Sequence, residues 1–305
     1  MAGSKQRKSV RATLLITALG GLKHATRWMY VSPPRTRRIT RWIEHIVPGP
    51  PRKTQTKTLD AGGVSAVRIS VPKARDGIYV LYFHGGGYAL GSAPLFRDFT
   101  WRIGAAACAH VLYFDYRLAP EHPFPAALDD AVRVYRWLST QRDVRKVAFG
   151  GESSGGGLLL GTLLKLRDDG VRLPNAAVAL SPWTDLALTG TSLQCNARTD
   201  PVLSAEALPS LAKQYLAGTD PRNPYASPLY GNAFGLPPLL IQAGSREILR
   251  DDAVRIAENY KPAGCEVEIE IWEDMPHTWH LYARILPEGR DAIDRIGTFL
   301  RQRLR

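Results

Sequence analysis

An α/β architecture, a mostly parallel central sheet flanked by helices, is predicted by three features of this 305-residue sequence. The first is a series of short apolar runs: GIYVLYF (77–83), HVLYFDY (110–116), KVAFG (146–150), AAVALS (176–181) and LLIQAG (239–244). Continuous runs rich in β-branched and aromatic residues read as strands covered on both faces, since a half-exposed strand would alternate polar and apolar positions. The second is the set of helix-like segments between them, at roughly 95–108, 125–140, 155–168, 250–260 and 289–303. Strand alternating with helix gives a parallel sheet sandwiched by helices, with sites at the carboxyl ends of the strands. The third is composition. With 45% hydrophobic and 22% charged residues the chain can bury one large core, which excludes disorder, collagen and small disulfide-stapled folds.

The remaining elements follow in chain order. Residues 12–22 (ATLLITALGGL) follow a basic start, and two readings apply: an amphipathic helix at the edge of the fold, or the core of a cleaved signal. The run is too short for the ~20 residues that span a bilayer. A second helix is expected to place Trp42, Ile43, Ile46 and Val47 on one face before the PGPP break at 48–51. Strand-like patterns at 64–71 and in EVEIEIW (266–272) complete the sheet. Residues 188–236 carry no clear strand and contain the helical LSAEALPSLAKQYL (203–216), the size of a lid or specificity insertion. The expected organisation is an N-terminal helical part (1–50), a first core segment (51–187), an insertion (188–236) and a second core segment (237–305).

Charge and cysteine content narrow the function. The formal net charge is +12, yet Lys5, Arg7, Lys8, Arg11, Lys23, Arg27, Arg35, Arg37, Arg38 and Arg41 all precede the first acid, Glu44. The rest of the chain is near neutral, which argues against nucleic-acid binding and leaves peripheral contact with an anionic membrane open. Three cysteines without C-x-x-C spacing suggest neither a disulfide framework nor a zinc knuckle, and fit a cytoplasmic location.

Three loops carry the chemistry. Gly151-Glu152-Ser153-Ser154-Gly155 is a G-x-S-x-G between a strand and a helix, where a serine on a sharp turn needs glycines on both sides. The nucleotide-binding patterns G-x-x-x-x-G-K-[ST] and G-x-G-x-x-G are absent. His84-Gly85-Gly86-Gly87-Tyr88 ends another strand. A triglycine turn lets backbone N–H groups reach a tetrahedral oxyanion, each donor being worth about 3–4 kcal/mol. Gly85 and Gly86 are expected to supply two donors and Ser154, at the positive end of the following helix, a third. His84 is read as a loop support alongside Gly87 rather than as a base. The third group lies late in the chain, where Glu247 follows LLIQAG and His277 follows EVEIEIW. Glu247 is preferred over Asp251 and Asp252, which open a helix where acids serve as caps. The order Ser, acid, His is that of α/β-hydrolases. His280 forms His-Thr-Trp-His with His277, but no metal is expected without an H-E-x-x-H pattern or a third ligand.

These motifs resemble the bacterial hormone-sensitive-lipase-like (family IV) esterases. The resemblance rests on HGGGY (84–88), YRLAPEHPFPAALDD (116–130), GESSGG (151–156), SPWTDL (181–186), DPRNPYASPLYG (220–231), GSREILRDD (244–252) and MPHTWH (275–280), and covers about 80–280. The family more often has G-D-S-A-G and an aspartate in the triad; here Glu152, Ser154 and Glu247 stand instead. The resemblance implies an α/β-hydrolase fold with a helical cap, and a cofactor-independent serine carboxylesterase acting on short- to medium-chain acyl esters. In it Ser153 attacks, His277 moves the proton and Glu247 orients the imidazole, with Tyr88, Trp183 and Leu203 as pocket candidates. The same triad would serve a lactone or amide hydrolase, and a non-catalytic ligand receptor is the alternative from another class. A small-molecule ester is the expected partner, and a homo-oligomer is open.

Overall fold

The computed structural model describes residues 8–26 and 33–305. Two helices, α1 (Val10–Thr26) and α2 (Pro33–Ile46), precede β1 (Gln55–Asp60), β2 (Ser65–Ser70), β3 (Ile78–Phe83), α3 (Ala93–Ala107) and β4 (His110–Phe114). The chain continues through α4 (Ala126–Ser139), β5 (Lys146–Glu152), α5 (Ser154–Asp168) and β6 (Ala176–Leu180). A long excursion holds α6 (Ser192–Cys195) and α7 (Leu208–Leu216) before β7 (Leu239–Gly244), α8 (Arg250–Tyr260), β8 (Val267–Trp272) and α9 (Pro287–Arg303).

The strands form one eight-stranded sheet in the order β1-β2-β4-β3-β5-β6-β7-β8. β1–β2 and β2–β4 are antiparallel, and every later pair is parallel. Alternation along β3 divides the core. Leu81 and Phe83 pack with Phe149 and with the leucines of α4 and α5, whereas Val80 and Tyr82 pack with Phe99 of α3 and Ile296 and Phe299 of α9. β3, β6 and β7 are buried along their whole length, as their unbroken apolar runs require.

Register gathers the chemistry at one end of the sheet. Phe83 pairs with Gly151, Glu152 with Leu180, and Gly244 with Trp272. The loops that follow these residues therefore emerge side by side, bringing together segments more than a hundred residues apart in sequence.

Sequence and structure differ at three places: β1, the start of α7 and the two N-terminal helices. β1 was not foreseen, because QTKTLD is almost wholly exposed and has no apolar periodicity; it is a polar edge strand held by pairing to β2. The helix expected over 203–216 begins only at Leu208. Asp200 Oδ1 accepts from the N–H groups of Val202 and Leu203, which sets a turn, and Pro209 then suits the first turn of a helix. α1 is not amphipathic: it buries Ala12 against Met275, Trp279 and Leu286 but leaves Leu14 66% exposed. Trp42 of α2 faces solvent, while Pro33 and Thr36 are buried; the side chains of Ile43 and Ile46 lie outside the described residues.

Residues 188–236 pack over the carboxyl end of the sheet. Leu208, Leu211 and Tyr215 of α7 join the same core as α4 and α5. Tyr215 stacks on Tyr88 with ring centroids 3.7 Å apart. Asp251 holds the start of this region and Asp252 the loop that leads into it. Asp251 accepts from Thr191 Oγ1 and Ser192 N, and Asp252 accepts from the backbone of Thr184 and Asp185. Burial pushes the Asp252 carboxyl up to about 8.

Candidate active site

Ser153 sits between β5 and α5 with φ 55° and ψ −125°, a strained conformation for a residue with a Cβ. Neighbouring backbone forces it. Ser153 N–H donates to Leu180 O at 2.9 Å, and Trp183 N–H donates to Ser153 O at 2.9 Å. The flanking glycines permit the turn, because a Cβ on Gly155 would lie 2.2 Å from Phe83 O. Ser153 is partly exposed, whereas Ser154 is fully buried.

His277 lies 2.9 Å through Nε2 from Ser153 Oγ and 2.7 Å through Nδ1 from Glu247 Oε2. Nδ1–H donates to the carboxylate, which leaves the Nε2 lone pair facing the hydroxyl. Glu247 is fully buried, and burial pushes its carboxyl up while the bond to His277 opposes that shift. Its other oxygen accepts from Ser181 Oγ at 2.9 Å and from Gly244 N–H. Ser181 also accepts from Thr278 N–H at 3.1 Å, so one hydroxyl fixes both the acid and the residue after the histidine. Sequence reasoning passed over Ser181; its only signal is a serine ending an apolar strand directly before Pro182. The backbone behind the acid is braced by Asn196, whose side-chain amide donates to Ser245 O and Glu247 O, and by Asp200, which accepts from Ile248 N–H.

The glycine loop after β3 departs from expectation. Gly85 N–H donates to Glu152 Oε1, so it is not available to an oxyanion, contrary to the role expected of it. Among the described residues, the N–H groups of Gly86, Gly87 and Ser154 have no hydrogen-bond acceptor, so the unpaired donors of the glycine loop lie one residue further along than expected. Gly86 has φ +114°, and a Cβ there would lie 2.3 Å from Leu90 O, so only glycine holds this turn. Glu152 also bonds the Tyr82 hydroxyl, and burial pushes its carboxyl up to about 8. Ser154 Oγ accepts from Tyr88 N–H at 3.2 Å, joining the serine turn to the glycine loop.

His84 is buried, stacks on Tyr116 at 4.1 Å and bonds Gly85 O at 2.7 Å through Nδ1. Burial lowers its pKa to about 4, so it stays neutral, and its ring bonds the glycine loop rather than Ser153. Tyr88 and Trp183 are each 1% exposed and pack in the main core, and Leu203 is half-buried against the same cluster. Thus none of the three presents a broad surface to solvent. His280 turns away from His277: its Nε2 is 2.9 Å from Gln242 Oε1, and no group of three or more metal-binding side chains occurs among the described residues. A cleft of about 670 Å³ opens beside the acid loop rather than at Ser153, lined by Ile16, Gly20, Lys23, Asp200, Ser204 and Arg246 among others.

A strained serine on a strand–helix turn, a histidine and a buried acid in hydrogen-bonded sequence, and unpaired N–H groups alongside define a serine hydrolase of the α/β-hydrolase class. Residues 80–281 match the family model described as the alpha/beta hydrolase fold, and the chain belongs to that family and to its bacterial hormone-sensitive-lipase-like esterases. An acetyl-hydrolase of Streptomyces hygroscopicus is 48% identical over 75% of this chain and 77% of its own length. A putative acetyl-hydrolase, LipR, of Mycobacterium tuberculosis is 35% identical over 83% of this chain and 82% of its own. The crystal structure of an esterase from the bacterial hormone-sensitive lipase family superposes with a TM-score of 0.90 at 42% identity, covering 98% of this chain and all of that one.

Proposed function

We propose that this hydrolase is a carboxylesterase that cleaves short- to medium-chain acyl esters through an acyl-enzyme on Ser153. The observation that carries the reading is the unbroken line from Ser153 Oγ through His277 to Glu247, at 2.9 and 2.7 Å. Ser153 Oγ attacks the ester carbonyl while His277 Nε2 takes its proton, and Glu247 stabilises the imidazolium through Nδ1–H. The tetrahedral oxyanion is received by the N–H groups of Gly86, Gly87 and Ser154, the last at the positive end of α5. Collapse breaks the bond to the alkoxy oxygen, which leaves as the alcohol with the proton from His277. Water then repeats the sequence on the acyl-enzyme and releases the carboxylic acid.

α1, α2 and residues 188–236 act in this reading as the cap. Supporting it, Arg37 of α2 donates to Ala89 O at 2.6 Å and Ala119 O at 3.1 Å, next to the glycine loop, and Leu211 of α7 lies where a Cβ on Gly87 would collide with it. α1 is tied to the body by Ser9, which donates to Glu288, and by Lys23, which donates to Ala197 O and Asp200 O. Those ties favour a retained helix over a removed signal. The catalytic groups all come from this chain, with no cofactor, and the site of action is cytoplasmic. No helix among the described residues is long and apolar enough to cross a membrane.

The test is hydrolysis of p-nitrophenyl esters across chain lengths, beside an acyclic ester and a lactone of equal carbon number. Activity on the short acyl esters, abolished by Ser153→Ala, is the expected result. Full activity in Ser153→Ala would sink the assignment, and preference for the lactone would move the substrate class.

A further inference from the structure

We propose that the solvent face of α1 docks this enzyme on an anionic lipid surface, a function that does not depend on the esterase reading. α1 has a run of apolar residues and no acid. Its inner side is occupied: Ala12 packs against Met275, Trp279 and Leu286, while Ile16, Gly20 and Lys23 wall the cleft beside the acid loop. The opposite side presents Val10, Leu14, Ala18 and Leu22, spaced four residues apart and so aligned in one stripe. Val10 is 77% and Leu22 55% exposed, and Ile285, whose carbonyl accepts from Arg11, extends the patch at 52%. A helix with apolar residues on every side is ordinarily buried. Here the fold buries one side and leaves leucines on the other, which marks an interaction surface.

Charge selects the occupant. The first 43 residues carry ten Lys and Arg and no acid, and exposed Arg11 and Arg284 border the stripe. A second copy seated there would set like charges against each other, whereas anionic head groups would complement them. At 17 residues α1 is about 25 Å long, too short to span, so it lies in the plane of the interface with its apolar face in the lipid. Because its inner side walls the cleft, docking sets the cleft next to the lipid surface.

Co-sedimentation of the full chain with phosphatidylcholine vesicles, with and without phosphatidylglycerol, tests this. Binding is expected only with phosphatidylglycerol, falling at high salt and weakened at least about tenfold by Val10→Glu/Leu14→Glu, a conservative figure for removing buried leucine area. Hydrolysis of a soluble p-nitrophenyl ester should be unchanged in that variant, which checks folding. Absence of binding to the anionic vesicles, or binding that the variant leaves intact, would overturn the proposal. A wild-type dimer that becomes monomeric on the same substitutions, measured by light scattering, would also overturn it by assigning the stripe to a second copy.

Discussion

Glu152 and Glu247 stand at the carboxyl ends of β5 and β7, one sequence neighbour to Ser153 and the other nearly a hundred residues away. Both side chains are buried, and burial pushes both carboxyls up. Their partners separate them. Glu247 holds the imidazole of His277 and is itself held by Ser181 and Gly244, so its charge is available to a developing imidazolium. Glu152 holds the N–H of Gly85 and the hydroxyl of Tyr82, and so shapes the glycine loop without meeting a group that moves a proton. A buried carboxyl beside a nucleophile acquires a role from what it touches, and closeness in sequence is no guide.

Removing charge while keeping shape tests that contrast with the largest effect. Glu247→Gln is expected to lower kcat about a thousandfold or more with KM little changed, since it removes stabilisation made only in the transition state. Glu152→Gln retains a carbonyl oxygen for Gly85 N–H and should cost less than about tenfold. Steady-state kinetics on one p-nitrophenyl ester decides, and equal losses in the two variants would erase the distinction.

Ser181→Ala sharpens it on the Glu247 side. Loss of one hydroxyl bond to a buried carboxylate is worth about 1.5 kcal/mol, so kcat should fall about tenfold while KM holds. A KM effect alone would make Ser181 a pocket residue rather than a positioning one.

The smallest effect concerns His280, buried behind the site with its pKa lowered to about 3 by burial. In the unfolded chain a histidine titrates near 6.5, so between that pH and about 3 the unfolded state binds a proton that the folded state does not. Stability from the neutral imidazole is therefore complete above pH 6.5 and is lost as pH falls. Urea unfolding at pH 8 and pH 5 should show the advantage of wild type over His280→Gln shrinking by about 2 kcal/mol at the lower pH. A constant difference would mean that His280 ionises in the folded protein as easily as in the unfolded one.

The sheet was legible wherever burial shaped composition. The strands covered on both faces were readable from their apolar runs, whereas β1, an exposed edge strand, leaves no such mark. Ser153, Glu247 and His277 were locatable because each stands just beyond a readable strand, and strand ends are where this architecture places its chemistry. The glycine loop was recognisable, but which N–H groups remain free was not. That depends on the Glu152 carboxyl folding back onto Gly85, a contact between positions 67 apart. Ser181 escaped notice because its role comes from meeting Glu247 across the sheet end.

The most direct test of the account is covalent trapping at the nucleophile. Treatment with a fluorophosphonate followed by peptide mass spectrometry should place one adduct per chain on Ser153, lost in Ser153→Ala and much slowed in Glu247→Gln. An adduct on another serine, or an unlabelled Ser153 in an enzyme that still hydrolyses esters, would contradict it.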